Sequence, residues 1–109
     1  MPTDYGYIER AVTELSDEFK RGHVVASVTK MYQRFQTVLD TVASLAPDLA
    51  DECNKAREAA RKFYRPWGKS EEEERDRGAA HAAVGAAMAT LSKRVAKRAD
   101  KQREARRSS

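Results

Sequence analysis

The sequence predicts an all-α protein: an antiparallel up-down-up-down four-helix bundle with a long C-terminal helix that overhangs as a basic tail. Three observations lead there. The chain of 109 residues holds only 5 glycines and 3 prolines, too few turn formers for a sandwich or barrel. Its apolar residues recur at steps of three and four, the spacing that lines one face of a helix. These stripes are interrupted at Gly22, at Pro47 and at residues 66–69, which divides the chain into four segments joined by short links.

The first segment, residues 4–21, opens with Thr3 or Asp4 as a helix cap and carries Ile8, Val12, Leu15 and Phe19 in one stripe. Gly22 follows at the position where a helix C-terminus tolerates positive φ. The second segment, residues 23–46, carries Val24, Val28, Met31, Phe35, Val38, Val42 and Leu45. Its stripe is displaced by two residues from a continuation of the first, so a turn separates the two. Pro47 ends it, because the residue before a proline is pushed out of the helical region. The third segment, residues 48–65, has the stripe Leu49, Cys53, Ala56, Ala60 and Phe63, with acids in its first turn and bases in its last, as the helix dipole favours. The fourth starts at Ser70 with Glu73 three residues on, a capping box. It carries Val84, Met88, Leu91 and Val95 and meets no proline before about residue 106.

Charge is distributed unevenly. The net charge is +4, but residues 93–109 alone carry eight Lys or Arg against two acids, while residues 1–92 are slightly acidic. This divides the chain into a helical body, 1–92, and a basic extension, 93–109. A helix from 70 to 106 outruns its neighbours, so the extension is expected to project. The tail residues Lys93, Arg94, Lys97, Arg98, Lys101 and Arg103 are the first candidate site, since basic helices bind nucleic-acid phosphates. About half of the tail's eight bases facing one backbone would give a salt slope on the order of −3 to −5. The tail lacks the bulky apolar residues of a membrane-binding helix, and the weakly apolar run 78–91 is too short to span a bilayer. No membrane partner is expected.

A second basic patch is expected on the third helix. Arg57, Arg61 and Arg65 are spaced by four along one ridge, and Phe63, Tyr64 and Trp67 lie among them, cations for phosphates beside rings for bases. Glu71 to Glu74 follow across a short turn and could neutralise Arg61 and Arg65.

The stretch 79–89 contains one polar residue, His81, and is otherwise Ala, Gly, Val and Met. A helix apolar all round is buried all round, and a four-helix monomer leaves one face of each helix wet. Ala79, Ala82, Ala86 and Ala89 are therefore candidate interface positions, for a second copy of the chain or for a partner protein.

Catalysis and cofactors have no motif here. His23 and His81 do not stand in Glu-x-x-His pairs, no glycine-rich phosphate loop exists, and Cys53 lies on a core stripe. No catalytic residue, metal site or cofactor is expected. A single cysteine and an N-terminus without a basic-then-apolar leader fit a cytoplasmic protein. The expected function is non-enzymatic: sequence-nonspecific binding of RNA or DNA backbone, as an accessory subunit of a nucleoprotein assembly. The alternative is a protein-interaction module (an inhibitor, immunity protein or adaptor) docking through the alanine-rich part of the fourth helix.

Overall fold

In the structure, a computed structural model that describes residues 3–22 and 28–108, each helix begins and ends on identifiable chemistry. The Asp4 carboxylate accepts from the Tyr7 N–H at 3.2 Å and starts α1 (Tyr5–Arg21). Gly22 ends it at φ 78°, donating its N–H to the Phe19 carbonyl. The expected helix start at His23 and the core position Val24 lie outside the described residues. From Val28 the chain forms α2 (Val28–Leu45). Pro47 then imposes a single 3₁₀ turn, Pro47–Leu49, so α3 (Ala50–Phe63) begins two residues later than the dipole pattern predicts. Pro66 restricts Arg65, and α3 also stops two residues early. The Trp67 indole N–H donates to the Phe63 carbonyl at 2.7 Å, taking up one of the carbonyls orphaned there. Ser70 caps α4 (Glu71–Ser108) by accepting from the Glu73 N–H at 3.1 Å. The Glu73 carboxylate reaches back past the Ser70 amide to the Gly68 N–H, a displaced capping box that also pins the turn.

Each helix packs on its neighbours in sequence, and α4 closes the bundle against α1. The directions alternate, as cross-helix pairs record. Glu18 meets Arg34, Asp40 meets Arg57, and Glu52 meets Arg94. Along the axis lie Ile8, Val12, Leu15 and Phe19 of α1; Leu49, Cys53, Ala56, Ala60 and Phe63 around α3; and Val84, Met88, Leu91, Val95 and Ala99 of α4. No polar side chain is buried among the described residues. At one end the rings of Phe19, Phe35 and Phe63 meet edge-to-face at 5.7–5.8 Å between centroids. His81 is exposed, as expected of the edge of an open surface, and one face of its ring lies nearly parallel to Phe19 at 4.5 Å.

The α2 stripe differs from its sequence reading. Met31, Phe35 and Val42 are buried as expected, but Leu39 and Ala46 take the core positions assigned to Val38 and Leu45. Val38 is half-buried, Leu45 is 45% exposed and Val28 is 49% exposed. The strict alternation of four and three fits a supercoiled seam. Here the buried positions advance by four, four, three and four, a mean of 3.75 per turn that lies above the straight helix's 3.6, where the heptad's 3.5 lies below it.

At ~1.5 Å per residue the 38 residues of α4 span about 57 Å, which sets the molecule's longest dimension of 59 Å. The basic segment continues this helix, yet much less of it projects than the sequence suggests. Ala99 is buried, and the Gln102 side chain donates to the Thr3 carbonyl at 2.6 Å and accepts from the Tyr5 N–H at 3.1 Å. Only the last turn and a half extends beyond these contacts. At the other end no α4 residue before Val84 is buried. The stretch 79–89 is not apolar-buried on all sides in this fold: Val84 and Met88 face the core, while Ala79, Ala82, Ala86 and Ala89 face outward.

The revised α2 register has a direct test. Leu39→Ala should cost about 2–5 kcal/mol in urea unfolding, the range for deleting a fully buried leucine. Leu45→Ala, at a position the heptad reading puts in the core, should stay within about 0.5 kcal/mol of the parent. Equal losses at both sites would restore the heptad register.

Candidate nucleic-acid interface

The α-helical period decides where each basic residue of α4 points. Taken from Ala86, the outward line of the helix runs through Ala79, Ala82, Lys93 and Lys97, with Lys101 beside it, and all are exposed. Arg94 and Arg98 lie on the flank toward α3. Arg103 lies on the flank toward α1.

The two kinds of base separate accordingly. Arg94 pairs with Glu52 at 2.9 Å, Arg98 with Asp48 at 3.0 Å, and Arg103 with both Glu9, at 3.4 Å, and Asp100. The hydrogen bond to Asp100, with Glu9 behind it, raises the Arg103 pKa above its ordinary value. The planar guanidinium fork suits carboxylates, and it fastens α4 to α1 and to the start of α3. Lys93, Lys97 and Lys101 make no ion pair among the described residues. Their ammonium groups occupy positions i, i+4 and i+8, a rise of about 6 Å per step. Of the six bases expected to bind a ligand, three lysines remain available and three arginines hold the bundle together.

The α3 patch is further committed. Arg57 reaches across to Asp40 at 2.8 Å and Gln36 at 3.1 Å on α2. Arg61 pairs within its own helix with Glu58, whose carboxylate is held below its usual pKa by that hydrogen bond. The Arg65 guanidinium lies 4.0 Å over the Trp67 ring. The Glu71–Glu74 run makes no ion pair with Arg61 or Arg65 among the described residues; it forms the first turn of α4, where Glu73 reaches the Gly68 N–H. The three arginines thus make three different contacts, and the Trp67 face that could have stacked a base is covered.

The sequence identifies the bases and misses their counter-charges. Glu9, Asp48 and Glu52 look like ordinary helix-surface acids, and Gln102 is neutral in a charged run. Each matters only once α1, α3 and α4 are side by side, a relation that no local spacing contains. Glu52 is the most enclosed: its side chain is 14% exposed, and one carboxylate oxygen is buried without a hydrogen-bond partner while the other meets Arg94.

Cys53 is fully enclosed. Burial, reinforced by the adjacent Glu52 charge, pushes its thiol up to about 11. The thiolate is the reactive form, so this cysteine is inert at neutral pH. Among the described residues no group of three His, Cys, Asp or Glu side chains is placed to hold a metal ion, and no helix is long and apolar enough to cross a membrane.

Comparison of the chain with protein-family models, with curated proteins and with solved structures gives no match. The functional reading therefore rests on these side chains.

Two outcomes follow from this geometry. Arg94→Ala should destabilise the fold by about 1–3 kcal/mol, because it leaves an enclosed carboxylate unpaired, while Lys93→Ala should be neutral; thermal melts separate the two. Cys53 should resist a disulfide-exchange reagent at pH 8 in the native protein and react at once in denaturant. Rapid native labelling would contradict its burial.

Proposed function

We propose that the protein is a non-enzymatic helical module that binds nucleic-acid backbone, RNA or DNA, without reading sequence, as an accessory subunit of a larger nucleoprotein assembly. The observation that carries this reading is the outward line of Lys93, Lys97 and Lys101, exposed and free of carboxylate partners among the described residues. Lysine ammonium groups act as point charges toward phosphates and hold no base-specific geometry, so such a site fixes position and not sequence. The remaining bases support it indirectly: Arg94, Arg98 and Arg103 keep α4 straight and seated. The single, enclosed cysteine is compatible with a reducing cytoplasmic setting.

The lysine line lowers the expected salt dependence. Three phosphate contacts give a slope of log K against log salt of about −2.7 on duplex DNA, below the range that the unpaired tail suggests. The test is a fluorescence anisotropy titration of labelled oligonucleotides with the full chain at 50–200 mM salt. Replacing Lys93, Lys97 and Lys101 together by Ala should remove most of the slope and weaken unrelated sequences equally. Absence of binding by the parent protein at low salt would overturn the reading.

A second reading, a protein-interaction module or self-association through α4, is favoured by one observation. Ala79, Ala82, Ala86 and Ala89 lie exposed on the outer face, where small side chains let a neighbouring helix approach closely. Under this reading light scattering gives a mass above that of one chain, and Ala86→Glu returns it to 12.3 kDa. A parent protein that is already monomeric and captures no partner would remove it.

A further inference from the structure

We infer that the lysine line on α4 takes a double-stranded nucleic acid in preference to a single strand, an inference that rests on the backbone-binding reading above. Three features of the site lead to it.

The first is the absence of stacking surfaces. Proteins that hold single strands combine a basic groove with aromatic rings on which bases stack. From Glu71 to Ser108, α4 contains no Phe, Tyr or Trp. Its one heteroaromatic ring, His81, is stacked on Phe19 and edge-on to Phe63. Trp67 is half-buried under Arg65 beside the start of α4, about 33 Å along the axis from Lys93. A single strand on Lys93, Lys97 and Lys101 would find charge and nothing else.

The second feature is what charge alone rewards. When affinity comes only from released counterions, the more highly charged polyelectrolyte gains more per contact. The slope per phosphate is about 0.9 on duplex DNA and about 0.7 on single strands. Three lysines therefore give slopes of about −2.7 and −2.1, so a purely electrostatic site ranks the duplex first at low salt.

The third feature is shape. The lysines stand on a convex, straight helix whose flanks are locked by Arg94–Glu52, Arg98–Asp48 and the Gln102 contacts, so their roughly 12 Å span is rigid. A duplex already holds its phosphates in a fixed lattice, whereas a single strand must lose backbone freedom to match one. Ala82, Ala86, Ala89 and Thr90 continue the same outer face with short side chains. On that side nothing tall keeps a wide cylinder away, whereas beyond Lys101 the exposed carboxylates of Asp100 and Glu104 share the outer face and repel phosphates, so the duplex lies from the lysines toward Thr90.

The experiment is a parallel anisotropy titration of the full chain with a 20-base-pair DNA duplex, an RNA duplex of equal length and the single strands of each. Salt is varied from 50 to 200 mM. At 50 mM each duplex should bind several-fold more tightly than its own strands. DNA-duplex affinity should fall about forty-fold across the salt range, the consequence of a slope near −2.7. Each single Lys→Ala change at 93, 97 or 101 should lower that slope by about 0.9. These positions are exposed, and unchanged helicity by circular dichroism confirms that the variants fold. Single strands binding as tightly as the duplexes would overturn the duplex preference while leaving the backbone-binding reading intact. No binding to any of the four would overturn both. Duplex binding with an unchanged slope after all three substitutions would overturn the assignment to this line.

Discussion

The four apolar stripes depend on one another, and the rest of the molecule depends on their meeting along one axis. No helix here buries its stripe alone: Phe35 of α2 needs Phe19 of α1 beside it, and Cys53, Ala56 and Ala60 of α3 leave room for the larger residues of α4. With 35% charged residues and no buried polar side chain among those described, the interior supplies cohesion but little directional information. Orientation and register come from the rim. There Arg34 meets Glu18, Arg57 meets Asp40, and the arginines of α4 meet Glu52, Asp48 and Glu9. The exposed pairs among them contribute at most about 1 kcal/mol each, and only Arg94, which faces the enclosed Glu52, is worth more. Their value is that they favour one alignment among several that would bury similar apolar area.

This division explains why arginine and lysine have separated on α4. An arginine facing a neighbouring helix finds a carboxylate across the seam; a lysine on the outer line has none within ion-pair distance among the described residues. A charge count over residues 93–109 merges the two populations and overstates what is available to a ligand. Once the three arginines are assigned to Glu9, Asp48, Glu52 and Asp100, the basic end is more modest: the lysine line, with Arg107 in the last turn.

Much of the architecture was legible in the sequence for identifiable reasons. The α1 and α3 stripes were right residue for residue because Asp4, Gly22, Pro47 and Pro66 fix where each helix starts and stops, and hence its phase. In α2 the sequence marks only the end, at Pro47, and a run rich in apolar positions, Val38-Leu39 and Leu45-Ala46, admits two phases. Packing selected the one that places Leu39 in the core. The candidate interface was half legible. Its lysines follow from helical period, but their distinction from the arginines depends on acids forty to ninety residues away. How much of the basic segment is seated is not legible in the sequence, because Ala99 is a weak core signal and Gln102 carries no charge.

The contact between Gln102 and Thr3 spans 99 positions of the chain. Closing a loop of that size costs only about 2 kcal/mol more than closing one of ten residues, since the entropy grows with the logarithm of length. It nevertheless belongs to the seam that joins the first helix to the last, while the neighbouring seams close through short connections. On a folding pathway the local hairpins α2–α3 and α3–α4 have the kinetic advantage, and the α1–α4 seam is the natural late step. Until it closes, Val84, Leu91 and Val95 are exposed along one flank of α4. The chain therefore passes through its most adhesive form just before completion, when the lysines on the opposite flank are the groups that keep neighbouring chains apart.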